Sequence, residues 1–111
     1  MAERIKQFFS GAVTAVQALD NTGPQALRFV YIFNTTVAVA YLQIFNIAAG
    51  SVTLGTTAPT LSIGIPASAA AVIPLPEGGL HMKGNALSCA GTTTRTGNTT
   101  AQLDVNIGWG L

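Results

Sequence analysis

Residues Leu27 to Asn46 constrain the fold more than any other stretch of this chain. They read Leu-Arg-Phe-Val-Tyr-Ile-Phe-Asn, a short Thr-Thr-Val-Ala-Val link, and Ala-Tyr-Leu-Gln-Ile-Phe-Asn. Two strings rich in β-branched and aromatic residues flank a short polar link, the pattern of two strands in adjacent positions of an antiparallel sheet. In the first, Leu27, Phe29, Tyr31 and Phe33 alternate with Arg28, Val30, Ile32 and Asn34. Both faces are largely apolar, which suits a central strand. In the second, Val39–Asn46, Leu42 and Ile44 are the expected core positions, and Tyr41, Gln43 and Phe45 take the other face.

The remainder supplies further strands. Thr60-Leu61-Ser62-Ile63-Gly64-Ile65-Pro66 alternates cleanly, with Leu61, Ile63 and Ile65 inward and an outward face bare enough for another backbone or subunit to approach. Ala71–Pro76 is a short strand that Pro74 and Pro76 push to an edge. Leu80–Lys83 and Ala86–Ala90 are brief strands, and Leu103, Val105, Ile107 and Trp109 share one face of the last. Gly91–Thr100 is a Thr/Gly/Asn loop expected to be mobile and to stay out of any core. The start is ambiguous. Ile5, Phe8, Phe9, Val13, Val16 and Leu19 fall roughly along a helical face, yet Ala12–Leu19 also alternates as a strand. The favoured reading is an extended arm leading to a first strand near Ala12–Leu19, with a short helix as the alternative; Gly11 weakens a continuous helix.

Seven to nine short strands separated by Gly, Pro, Asn and Thr turns predict an all-β, antiparallel β-sandwich, jelly-roll-like or alternatively immunoglobulin-like. Residues 1–20 form the N-terminal arm and candidate first strand, and residues 21–111 the sandwich domain. No helical pattern separates the strands, so a parallel α/β fold is not expected.

Charge narrows the function. Only 8% of the 111 residues are charged, against 49% hydrophobic, and none lies between Phe29 and Pro76. A soluble domain averages roughly 25% charged residues. The apolar run Val37–Ala49 is broken by Gln43 and Asn46 and is shorter than the roughly 20 residues of a spanning helix. No aromatic girdles mark a transmembrane barrel. The N-terminal residues form no continuous signal-peptide core. The expectation is a chain kept in a cytoplasm until assembly, with no membrane partner and a neutral surface largely covered by other subunits. A net charge of +1 offers no field for phosphates, so no nucleic-acid partner is expected.

Catalytic chemistry is absent from the motifs. His81 has no companion ligands for a metal and no nucleophile beside it, and is read as a strand-surface residue. Glu3, Asp20, Glu77 and Asp104 are scattered and nominate no acid pair. Cys89, the one cysteine, shares a face with Leu87 and is read as a buried structural thiol. Asn34-Thr35-Thr36 and Asn98-Thr99-Thr100 match the glycosylation pattern but are read as turns. No enzyme, cofactor or metal is expected. Trp109 is read as capping a core or anchoring an interface, with ligand stacking as the lesser reading.

From Arg28–Thr36 and Tyr41–Phe45 onward, the chain resembles a group of small tailed-bacteriophage virion proteins. The resemblance runs through Val52-Thr53-Leu54-Gly55-Thr56-Thr57-Ala58-Pro59, Ile65-Pro66-Ala67 and Glu77-Gly78-Gly79-Leu80. It continues in Ala86-Leu87-Ser88, Thr92-Thr93-Thr94, Thr96-Gly97 and Val105-Asn106-Ile107. It covers about residues 27–107 and rests on turn and strand patterns. Such β-sandwich proteins are similar to capsid cement (decoration) proteins, which commonly sit as homotrimers on the shell. The resemblance implies a capsid-surface protein of the virion, assembled in the host cytoplasm, that bridges capsomers of the major capsid protein. Tail, neck or fibre components are the first alternative. A carbohydrate-binding sandwich, with Trp109 and Tyr41 as stacking residues, is the second. The expected subunit or shell contacts are Phe8, Phe9, Val13 and Val16 in the arm, with Tyr31, Tyr41 and Trp109 as interface aromatics.

Overall fold

The computed structural model describes residues 6–13, 16–84 and 86–110, and for 6–13 the backbone alone. Among these residues nine strands form two antiparallel sheets. They are β1 (Lys6–Val13), β2 (Gln17–Asp20), β3 (Gln25–Asn34), β4 (Ala40–Phe45), β5 (Leu61–Ile65), β6 (Ala70–Val72), β7 (Leu80–Met82), β8 (Leu87–Thr92) and β9 (Leu103–Gly110). A 3₁₀ turn, Ala49–Ser51, follows β4.

One sheet, here the front sheet, runs β1–β9–β3–β6, with β7 also on β3; the back sheet runs β2–β8–β4–β5. β6 pairs with Tyr31–Phe33 and β7 with Gln25–Leu27, both antiparallel. They are two halves of one edge, interrupted where Pro74 and Pro76 cannot donate to a ladder. Ile73 N still donates to Val30 O at 3.0 Å, an ordinary ladder-bond distance, before the chain leaves the sheet. Counting that edge as one strand, the chain crosses between sheets at every connection except β4–β5. That is the order of a jelly roll. An immunoglobulin-like sandwich keeps several consecutive hairpins within one sheet, so that alternative is set aside.

The all-β sandwich is therefore as the sequence predicts, and so are most inward faces. Leu42, Ile44 and Ile65 are fully buried, Leu61 and Ile63 pack against the same cluster, and Leu103, Val105, Ile107 and Trp109 all lie in it. Burial of a Leu- or Ile-sized side chain contributes roughly 1.5–3 kcal/mol, so this shared interior holds the sheets together.

Three local expectations are corrected. The alternation of β3 breaks at its start. Leu27 pairs with Trp109 and Phe29 with Gly108, so Arg28 is an extra residue, a β-bulge. The bulge moves Leu27 to the core face with Val30 and Ile32, leaving Phe29, Tyr31 and Phe33 outside. The first strand is not continuous over Ala12–Leu19. Extended backbone at Lys6–Val13 is laid along β9, and Gln17–Asp20 forms a separate strand on β8. Finally, the connection after β8 folds back on itself. Thr93 N donates to Thr99 O at 2.9 Å and Ala101 N to Gly91 O at 2.9 Å.

Candidate binding face

The returning 93–100 connection covers part of the back sheet's outer face. Gln43 Nε2 donates to Thr92 Oγ1 at 2.8 Å and to Gly97 O at 3.2 Å, and Ser62 Oγ donates to Arg95 O at 2.7 Å. Gln43 is thereby fully buried although it points away from the core. Tyr41 also lies on this face. A Cβ added at Gly64 would come 3.0 Å from Tyr41 Cε2, so the ring covers the bare glycine opposite it. The approach expected over Ser62 and Gly64 is thus partly taken by the chain's own residues.

Among the described residues, the front sheet has no such cover over its middle. Phe29, Tyr31 and Phe33 stand along its outer face. Phe29 lies on Gly108, where an added Cβ would fall 2.0 Å from Phe29 Cε2, and its ring stacks on Tyr31 with centroids 5.3 Å apart. Tyr31 and Phe33 remain 46% and 43% exposed, and Val72 67%. Across the sheet Tyr31 sits between Val72 and Asn106, and Phe33 between Ala70 and Asp104. These residues line a shallow depression of ≈ 260 Å³. β-branched and aromatic neighbours of this kind are ordinarily covered, which makes the contiguous exposed group the candidate binding face.

The sequence-nominated residues divide accordingly. Tyr31 is on the front face. β1 brings Phe9 to the register position beside Asn106, one strand from Tyr31, and Phe8 to the position beside Ile107. The side chains of Phe8, Phe9 and Val13 lie outside the described residues. Val16 is half-buried in the link between β1 and β2. Tyr41 is on the opposite side of the sandwich from Tyr31. Trp109, expected as an interface aromatic, lies in the core cluster of this chain. It is 4% exposed inside the core, and its Nε1 donates to Asp20 Oδ2 at 2.8 Å. The strict alternation of β9 sends it inward with Ile107, so it also offers no ring face to a ligand. Phe33 and Val72 were missed by the sequence reading. Their signal was the alternation that already placed Phe33 beside Tyr31.

Other candidate chemistry is structural. Asn34 is wholly buried. Its Nδ2 donates to Ala38 O at 2.8 Å, Ile65 O at 3.0 Å and Pro66 O at 3.1 Å, while Oδ1 accepts from Thr36 N at 2.9 Å and Thr36 Oγ1 at 2.7 Å. The Asn34-Thr35-Thr36 triplet is the turn expected, with its amide engaged on every side. Asp20 likewise closes a turn by accepting Thr22 N at 2.7 Å. Cys89 is buried as expected, and burial pushes its thiol up to about 12. His81 is exposed on β7. Among the described residues no three of His, Cys, Asp and Glu come together as a metal set, and no helix is long and apolar enough to cross a membrane. Comparison with family models, with curated proteins and with solved structures found no match.

Proposed function

We propose that this chain is a non-enzymatic structural subunit of a phage virion, a capsid cement protein that assembles with copies of itself, as a homotrimer, and with the major capsid protein. The observation that carries the reading is the exposed row Phe29–Tyr31–Phe33 with Val72 on the front sheet. It lies within the stretch Phe29–Pro76, which has no charged residue. Covering such a row releases apolar surface at roughly 25 cal/mol per Å² before the costs of association. The jelly-roll sandwich and the resemblance over residues 27–107 support the same reading. The carbohydrate-binding alternative loses Trp109, and Tyr41 has one side of its ring on the Gly64 backbone.

The test is a double variant, Tyr31→Ser with Phe33→Ser, compared with Val37→Ser, which alters a 95% exposed residue off this row. Binding to empty heads of the parent virion is measured by co-sedimentation, and self-association by analytical ultracentrifugation. The double variant should lose roughly tenfold or more in binding, with the midpoint of thermal unfolding little changed, and Val37→Ser should bind like the wild type. Wild-type protein that neither self-associates nor binds the heads would overturn the reading. So would a double variant that binds normally.

A further inference from the structure

The front and back sheets end in four margins, and natural sheets blunt such margins against unwanted strands. β1 shifts register between Ser10 and Val13. β2 has only four residues and shifts between Ala18 and Asp20. The β6/β7 margin is broken by Pro74, Pro76 and the turn in which Gly79 N donates to Pro76 O at 2.9 Å. β5 has none of these devices. Its residues, Leu61-Ser62-Ile63-Gly64-Ile65, keep an unbroken register with β4 and include no charge and no proline.

The direction of its free backbone groups follows from the ladder. Ile44 O accepts Thr60 N at 2.8 Å, so Ile44 turns its peptide groups toward β5, and alternation turns Leu42 and Ala40 the same way. Their partners Leu61, Ile63 and Ile65 answer them. Ser62 and Gly64 therefore present their N–H and C=O groups outward, and among the described residues β5 pairs with β4 alone. Buried or not, such groups are satisfied by water or by another strand.

We propose that a second copy of this chain adds to that margin, β5 against β5, antiparallel about a two-fold axis through Ile63. Of the registers that keep inward positions opposite inward ones, this is the one that pairs all five residues of β5. Ser62 of each copy meets Gly64 of the other as a hydrogen-bonded pair, and Ile63 meets Ile63 as the closer, non-hydrogen-bonded pair. On the inner face Leu61 meets Ile65, so the half-buried Leu61 and Ile63 gain cover and the two interiors become continuous. On the outer face Ser62 and Gly64 are small enough to pass one another beside Tyr41. A shift of one residue would set inward against outward positions and lose this match. No like charges from β5 are brought together. A single-strand contact is at the small end of specific interfaces, so micromolar association is expected. A two-fold contact does not close a three-fold ring, so it is independent of the front-face reading.

The test is sedimentation velocity of the purified chain across the micromolar range, without capsid. Ser62→Pro removes an outward N–H at an edge position where proline is tolerated, and should weaken dimerisation by roughly tenfold or more. Ser62→Ala loses only the hydroxyl bond to Arg95 O and should dimerise like the wild type. Ile63→Cys should give a disulfide-linked dimer under mild oxidation, because the two Cα atoms of such a pair lie within disulfide reach, while buried Cys89 contributes none. The proposal is overturned by a wild type that stays monomeric with no cross-link through Ile63→Cys. It is also overturned if Ser62→Pro dimerises normally. Association lost in Tyr31→Ser with Phe33→Ser but untouched by Ser62→Pro would remove the edge contact and leave the front-face reading standing.

Discussion

Replacing Asn34 should be among the most damaging single changes outside the apolar core. Its amide ties the end of β3 to the Ala38 carbonyl and to the end of β5 through Ile65 O and Pro66 O, and its carbonyl holds Thr36. Asn34→Ala leaves one fully buried acceptor, Ile65 O, without that donor, at a cost of about 1–3 kcal/mol. Ala38 O, Pro66 O and Thr36 N lie in part-buried surroundings, where water can partly replace the side chain, adding about 0.5–1 kcal/mol each. Together the loss is about 2.5–6 kcal/mol, or a midpoint lowered by roughly 10–30 °C for a domain near this size. Urea unfolding followed by far-UV circular dichroism measures it. Asn34→Asp sharpens the test, since a carboxylate would face three carbonyl oxygens and could donate to none of them. Those surroundings raise the carboxyl's folded pKa above its unfolded value of about 3.9. The protonated form is favoured in the folded state, so stability is greatest below about pH 4 and is lost as pH rises through the folded pKa. Asn34→Asp should therefore be less stable than Asn34→Ala at neutral pH and recover on acidification relative to it. A loss under about 1 kcal/mol for Asn34→Ala, or a pH-independent difference between the two variants, would refute the account of this side chain as the tie between β3, β4 and β5.

Two further outcomes follow from buried polar groups. Trp109→Phe keeps most of the ring volume but removes the donor to Asp20 Oδ2, and should cost about 1.5–3 kcal/mol in urea unfolding, the range for a hydrogen bond to a carboxylate. Trp109→Phe as stable as the wild type would show that the bond contributes nothing. Cys89 should resist thiol reagents at pH 8 until the protein unfolds, because burial holds its pKa near 12 rather than 9.0. Its contribution to stability is fully present below about pH 9 and declines as pH rises from 9 toward 12, where only the unfolded thiol ionises. Rapid labelling of the folded protein would contradict this.

Where side chains alternate without interruption, the sequence pattern identified their faces. Leu42 and Ile44, Ile65, and the four apolar residues of β9 all took the predicted side. Failures arose where one residue changed the phase or where tertiary cover came from far along the chain. The extra residue Arg28 returns Leu27 to the core, and nothing in Leu-Arg-Phe-Val distinguishes a bulge from a regular strand. Gln43, assigned to the face away from the core, is buried there by the 93–100 connection, some fifty positions away, and nothing in its local sequence announces that cover. The candidate face was half legible. Tyr31 was nominated for its aromatic ring, whereas the distinction between Tyr31, Tyr41 and Trp109 depends on which sheet and which side each occupies. Only strand order supplies that.

That order also bears on how the molecule is made. β9 comes last of the nine strands in the chain, yet it is an inner member of the front sheet, wedged between β1 and β3. During synthesis β1 has no partner until β9 has left the ribosome, and β3 has only its β6/β7 side to pair with. The residues of β3, with Arg28 as their single charge, must wait through that interval with one margin open, when pairing with another nascent chain competes with self-completion. Loss of β9 would remove a keystone rather than an edge, and translation that stalls before it would yield an aggregation-prone fragment rather than a smaller sandwich.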